Sequence, residues 1–349
     1  MKSIARNCYI NLDPEPEPID VFAPKAYRGG KDFYISVFKH IEEATNLSGF
    51  TFYLAYHVPE SLPEYGTKIV LVVFADEAFS YRDYFSNIHC IIRCLGTRPL
   101  YLDGFPVNKL HVTALLHFLY KQWQYVNLIL REFQRFHRLK VSEASRKTLH
   151  IPLAFYSYFQ PDARPILDRE IDYAFLGSIS FDERFTKWIH RQMKPPKMLA
   201  RRLMLDALQR VPKSIKGKIH TTGDFWESIK NHCDYEATLG NTKISICPRG
   251  TTYETYRFFE SCKAGCVIIC EPLPDVWFYK GHPGIVIKDW SRLPAIIEEL
   301  IADEAILVAR SAAALDYWNN VISESAVAIR VAEFVDGCPS SEFLKHEAA

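Results

Sequence analysis

The residues best suited to chemistry in this chain are Arg249, Gly250, Thr251, Glu254, Arg257 and Glu260, crowded into a dozen positions. A guanidinium in a bend lies beside backbone N–H groups that no helix or strand uses, and its fork geometry matches a diphosphate. Gly250 lets the backbone approach such a group closely. Glu254 and Glu260 stand on either side of Arg257, and a carboxylate near a helix start accepts both hydroxyls of a ribose, as acidic residues do in dinucleotide folds. The ordinary alternative is a first-turn helix charge with surface ion pairs from Arg257 to Glu254 or Glu260. Each residue alone fits that alternative. The set, in its strand–loop–helix–strand setting, favours a nucleotide site.

That setting is legible in residues 243–270, KISICPRGTTYETYRFFESCKAGCVIIC. Residues 243–247 are short, apolar and closed by Pro248, which predicts a buried parallel strand. A helix then carries Tyr256, Phe258 and Phe259 toward a core, with Glu254, Arg257 and Ser261 on another face. Gly265 ends it, and residues 266–270 form a second strand. Such a βαβ unit presents ligands at the carboxyl ends of its strands and anions at the helix N-terminus.

The segments PRG, ETYRFFE and KAGCVII resemble the carboxy-terminal block of exostosin-like and related GT-B glycosyltransferases, from about residue 171 to 290. The resemblance implies an α/β fold of two Rossmann-like domains facing a central cleft, with a nucleotide sugar as donor substrate. Domains are expected at 1–165 on the acceptor side and 166–325 on the donor side, with 326–349 packing back on the first. Arg249, Glu254, Arg257 and Glu260 would line the donor, and Gly177-Ser178, ending the strand in DYAFLGSIS, would face it. The amino-terminal half carries no matching motif, which leaves acceptor, sugar and stereochemistry open.

An inverting enzyme of this kind needs a base for the acceptor hydroxyl. Asp76 and Glu77 directly follow KIVLVVF (68–74), the most strand-like run of the first half, and are the candidates, with Asp32 and Asp103 behind them. Helix capping is their ordinary role. No DxD-like motif ends a strand in the second half, so neither metal nor cofactor is expected.

The chain has 349 residues, 48% apolar, with a formal net charge of +1, so it is long enough for two cores and carries no global charge for nucleic acid. Its nine cysteines lack a zinc spacing and read as reduced thiols of a cytoplasmic protein. The start lacks a signal-peptide core and no 18-residue apolar run occurs. Residues 184–218 are dense in Lys and Arg and interleaved with apolar residues. They suit either contact with an anionic membrane or a phosphorylated lipid, or a core-facing helix pair with a basic rim. The expected function is transfer of a sugar to a hydroxyl of a glycan or lipid-linked acceptor, as in bacterial-type surface polysaccharide synthesis. The rivals are a sugar-nucleotide epimerase of the same fold and a noncatalytic glycan- or nucleotide-binding module.

Among the other elements, strands are expected at 8–12, 50–56, 88–92, 98–102 and 149–155. Helices are expected at 33–44, 108–139, 293–307 and 312–335, and residues 13–18 read as an extended linker.

Overall fold

A computed structural model describes residues 5–23, 31–75, 82–95, 147–155, 159–179, 196–222, 232–250 and 253–338. The chain divides into two compact units. One comprises Met1–Arg98, Gln124–Tyr158 and Val321–Ala349; the other comprises Pro99–Trp123 and Phe159–Asn320.

The first unit is built on β1 (Cys8–Asn11), β2 (Glu17–Pro18), β3 (Thr51–Ala55), β4 (Gly66–Val73), β5 (Ile88–Arg93) and β6 (Thr148–His150), in the order β2-β1-β3-β4-β5-β6. All pairings are parallel except β1 with β2. Val70, Leu71, Val72 and Val73 of β4 are fully buried, as an unbroken apolar run requires when both faces of a sheet are covered. Burial of each such side chain contributes about 1.5–3 kcal/mol. Below the sheet lie Val58, Leu62, Tyr84 and Phe85. Above it α1 (Asp32–Ala44) buries Phe33, Tyr34, Val37, Phe38 and Ile41, and Phe38 meets Tyr9 and Phe52 at 4.9 and 5.5 Å between ring centroids.

Residues 13–18 depart from the linker expectation. Pro18 and Glu17 pair with Ile10 and Asn11, and Asp13 accepts hydrogen bonds from the Tyr56 N–H at 2.5 Å and Lys31 Nζ at 3.3 Å, so side-chain anchoring overrides the Pro-Glu pattern. The strand expected at 149–155 is also shorter. β6 stops at His150, because Pro152 has no N–H to give a ladder and Ala154 takes φ +50°. The strand and helix read at 98–102 and 108–139 lie outside the described residues.

The second unit has the order β11-β10-β9-β7-β8, with every pairing parallel: β7 (Ile171–Ser178), β8 (Gly217–Thr222), β9 (Thr242–Cys247), β10 (Val267–Cys270) and β11 (Ile285–Val286). Its described helices are α2 (Pro196–Leu208), α3 (His232–Gly240), α4 (Tyr256–Lys263), α5 (Leu293–Ala302) and α6 (Glu304–Tyr317). A helix of the first unit, α7 (Glu324–Gly337), packs on α1. Phe175, Met204, Ile244, Ile246, Val267, Ile269 and Ile297 share one core. The helix read across 293–307 is two helices: the Asp303 side chain caps α6 by accepting the Ile306 N–H at 3.0 Å, and the chain bends there. The α/β class and two parallel, Rossmann-like sheets are as the sequence implies. No described helix is long and apolar enough to cross a membrane.

Two histidines make the first unit acid-sensitive. Burial, with Arg93 nearby, pushes His150 down to about 4 from the usual 6.5, and burial lowers His89 as well. The unfolded chain therefore binds protons first as pH falls. Stability is expected to hold above about pH 6.5 and to drop steadily toward pH 4, and His150→Gln should flatten part of that slope in thermal unfolding followed across this range.

Candidate active site

The carboxyl ends of β7, β9 and β10 lie side by side in the second unit and deliver Ser178, the Pro248-Arg249-Gly250 bend and Glu271 to one edge. The βαβ unit forms as the sequence pattern requires. β9 pairs in parallel with β10, and α4 between them is shut by a Schellman cap: Gly265, at φ +62°, gives its N–H to the Cys262 carbonyl while Cys266 reaches Ser261. The helix starts later than its polar pattern suggests. Thr255 is its N-cap, accepting the Phe258 N–H at 3.4 Å, so Glu254 lies ahead of the helix and not on a face with Arg257.

Arg249 is 3% exposed and turned inward. Its backbone N–H and its Nε both donate to Glu271 Oε2, at 2.8 and 3.2 Å, and its guanidinium stacks over the Tyr253 ring at 4.5 Å. This pair ties the end of β9 to the end of β10. Gly250 follows it, and Thr251 lies outside the described residues.

Arg257 reaches from the first turn of α4 across to β7. Its Nη2 donates to the Leu176 carbonyl, and the guanidinium lies 4.8 Å over the Phe175 ring. Its Nε and Nη1 are enclosed yet have no hydrogen-bond partner among the described residues. Gly177 makes this approach feasible: a Cβ there would stand 2.0 Å from Arg257 Nη2, and φ is +153°.

A second guanidinium meets it from α2. Arg201, 5% exposed, donates through Nη1 to the Ser178 carbonyl and, at 3.4 Å, to Ser178 Oγ, while its Nε reaches the Arg249 carbonyl at 3.2 Å. Lys197, one turn earlier, donates to Ser178 Oγ at 3.1 Å. Burial pushes Arg201 down to about 9, and the neighbouring charge of Arg257 adds to the fall. The Glu271 carboxylate acts the other way on Arg201, and the Arg201 and Arg257 guanidiniums lie near one another over the Phe175 ring. Like charges held this way form a receptor for an anion, and bidentate pairing with phosphate oxygens is the strongest use of the fork.

The carboxylates are placed differently. Glu260 faces α3, where it accepts the Tyr235 hydroxyl at 2.6 Å; burial first, and Glu260 next, push that phenol far up. Glu254 is 4% exposed and stands near Tyr279, whose phenol is raised by burial and by this carboxylate, and whose hydroxyl has no hydrogen-bond partner among the described residues. The structure therefore gathers Gly177, Ser178, Arg249 and Arg257 at one edge, sets Glu254 beside the same helix start and turns Glu260 to Tyr235. Asp32 is the first residue of α1 in the other unit. Asp76, Glu77 and Asp103 lie outside the described residues.

Sequence reasoning missed Arg201 and Lys197, which it grouped with a basic surface stretch. The signal was present, since Lys197, Arg201, Met204 and Leu208 recur on one helical stripe and Met204 and Leu208 are core. That apolar face of α2 is taken up by the core of its own unit, while Arg202, Arg210 and Lys213 are exposed and 184–195 lie outside the described residues.

No protein-family model matches the chain. Ribitol-5-phosphate xylosyltransferase 1 of Mus musculus is 30% identical over 89 residues, and that of Homo sapiens 31% over 90; each alignment covers 21% of this chain and 19% of the relative. The match thus spans about a fifth of those proteins. Among solved structures, Anabaena HepE in complex with UDP aligns over 95% of this chain and 99% of its own, with 8% identity and a TM-score of 0.43. WaaG, a glycosyltransferase involved in lipopolysaccharide biosynthesis, aligns over 88% and 96% with 10% identity and a TM-score of 0.39. Strand order and pairing, and not these likenesses, define the fold described above.

Gly177→Ala is expected to push the Arg257 guanidinium off the Leu176 carbonyl. Chemical denaturation should show a loss of about 1–3 kcal/mol for the strained backbone. Calorimetric titration with pyrophosphate should show at least about tenfold weaker binding than wild type, the equivalent of one lost charge-assisted hydrogen bond.

Proposed function

We propose that the chain is a glycosyltransferase that takes a sugar from a nucleotide-activated donor to a hydroxyl of a glycan or lipid-linked acceptor. One observation carries the reading: two neighbouring guanidiniums, buried Arg201 and half-buried Arg257, fasten to the Ser178 and Leu176 carbonyls at the carboxyl end of β7, and two enclosed Arg257 nitrogens have no hydrogen-bond partner among the described residues. Such an edge is where open α/β sheets bind their ligands. The short alignment to two xylosyltransferases supports the same reaction class.

In this reading the donor diphosphate lies against Arg257 and Arg201, with Lys197, Ser178, Gly177, Gly250 and Thr251 around it. Arg249, fixed by Glu271, holds the bend in shape and adds positive potential. Glu254 accepts ribose or sugar hydroxyls, and Glu260 supports the site through Tyr235. As the anomeric carbon–oxygen bond breaks, charge grows on the leaving nucleoside diphosphate, and the preorganised guanidiniums stabilise it. The acceptor oxygen forms the new bond with inversion and gives its proton to Asp76 or Glu77, with Asp32 as the alternative acid residue. No metal or cofactor enters the scheme. Membership of the exostosin-like branch rests on PRG, ETYRFFE and KAGCVII. Exposed Arg202, Arg210 and Lys213 extend the reading to a peripheral contact with an anionic membrane surface on the cytoplasmic side.

Calorimetric titration with a panel of UDP, GDP, ADP and CMP sugars tests the donor site. One member should bind, and Arg257→Ala should weaken it by tenfold to a hundredfold, about 1.5–3 kcal/mol. Arg249→Ala and Glu254→Ala should weaken it less. No binding across the panel, or affinity unchanged in all three variants, removes the reading in favour of a noncatalytic module. Hydrolysis or epimerisation of the donor without any acceptor favours the epimerase.

The base has its own test. Asp76→Asn or Glu77→Gln should cut turnover on the order of 10²–10⁴-fold with donor affinity intact. Full turnover in both variants would point to retention of configuration and leave the donor site standing.

A further inference from the structure

The first unit holds a pair of thiols that the proposed reaction does not use. Cys90 lies in the middle of β5 and is fully buried; Cys338 is the residue that closes α7 and is 7% exposed. Three contacts press these elements together. The His89 ring donates through Nε2 to the Val335 carbonyl at 2.6 Å, a carbonyl partner that fixes the proton on Nε2. Cys338 Sγ reaches back to the His89 carbonyl at 3.7 Å, and the thiols of Cys90 and Cys338 are in side-chain hydrogen-bond contact. The two sulfurs therefore already meet, across a separation of 248 residues in sequence, 338 minus 90.

We propose that Cys338 and Cys90 are an oxidative modification site, in which Cys338 is the attacking thiol and Cys90 the resolving one, and that closing the disulfide staples α7 to β5. The charge environment separates the two roles. Lys147 is 1% exposed, donates through Nζ to the Ile88 carbonyl at 3.3 Å, and acts on both sulfurs. A thiolate at the end of a helix opposes the helix dipole. The hydrogen bond from Cys90, with Lys147 beside it, nonetheless holds Cys338 below the ordinary thiol range against its partial burial, whereas burial drives Cys90 well above it. The cysteines of the second unit differ: burial raises Cys247, Cys262, Cys266 and Cys270, and it prevails at Cys247 and Cys266 even against Arg257 and Arg169.

The oxidant is a peroxide. The Cys338 thiolate attacks one peroxide oxygen, the O–O bond breaks, and Cys338 becomes a sulfenic acid while hydroxide leaves and takes up a proton. The Cys90 sulfur then attacks the Cys338 sulfur, forming S–S and releasing a second water with the Cys90 proton. Two thiols and one hydrogen peroxide give one disulfide and two waters.

The test uses the full chain, fully reduced, exposed to hydrogen peroxide, alkylated with iodoacetamide and digested without reductant for mass spectrometry. A peptide linking residues 90 and 338, lighter by two hydrogens, is expected, and amide exchange across 324–337 should slow by about tenfold relative to the reduced protein. Cys338→Ser should abolish the link. Cys90→Ser should leave Cys338 as a sulfenic acid that dimedone traps. In the reduced protein Cys338 should alkylate faster than Cys262 or Cys270, a readout that needs no variant to fold. Full alkylation of both residues after peroxide, links confined to other cysteines, or a Cys338 no more reactive than the second-unit thiols would each overturn the proposal.

Discussion

Two like charges set close together, one of them buried, set the terms for the second unit. Arg201 and Arg257 approach the same aromatic ring, Phe175, from different helices, and each is fastened to a backbone carbonyl at the end of β7. Burying a guanidinium costs several kcal/mol and setting a second beside it costs more, a cost the Glu271 carboxylate offsets in part at Arg201, so a fold keeps the pair only where the frame is rigid. The frame is visible beneath them. Met204 and Ala207 root α2 in the core, the Schellman cap closes α4, and the Arg249–Glu271 pair fixes the bend between β9 and the site. In the proposed reading a bound diphosphate would offset that cost, which is what preorganisation means in energetic terms.

Two buried charges of the first unit, Glu42 and Lys31, sit in hydrogen-bonded networks. Glu42 of α1 is 9% exposed and accepts from the Arg6 N–H, the Asn7 side chain and the Tyr9 hydroxyl at 2.6, 2.7 and 2.8 Å, which pins the chain's start to the helix covering its sheet. Lys31 is buried beside Asn11 and Asp13 at the carboxyl end of β1.

How much of this was legible depended on whether a residue's role was decided locally. The run 243–247, the apolar stretch 266–270 and Gly265 are governed by burial and by a left-handed backbone, so pattern alone located the βαβ unit. Arg249, Arg257, Gly177 and Ser178 followed because strand ends can be counted from that pattern. Arg201 could not be separated from its basic neighbours, because only the packing of α2 decides which of Arg201 and Arg202 turns inward. Glu254 was placed in a helix because Thr255 looks unremarkable in the sequence, yet its hydroxyl wins the cap. Asp303 and Asp13 were misread for the same reason. A short polar side chain that binds a backbone N–H ends one element or anchors another, and periodicity is blind to it.

The chain's topology also has a consequence for its birth on the ribosome. The helix that covers the outer side of α1 is α7, contributed by the last described residues of the chain. Until those residues emerge, the nascent first sheet carries an uncovered apolar helix, while the whole of the second unit, already synthesised, can close around its own core. Assembly therefore runs out of order with synthesis: the unit begun first is finished last, and its half-made surface is the natural client for a chaperone in the interval.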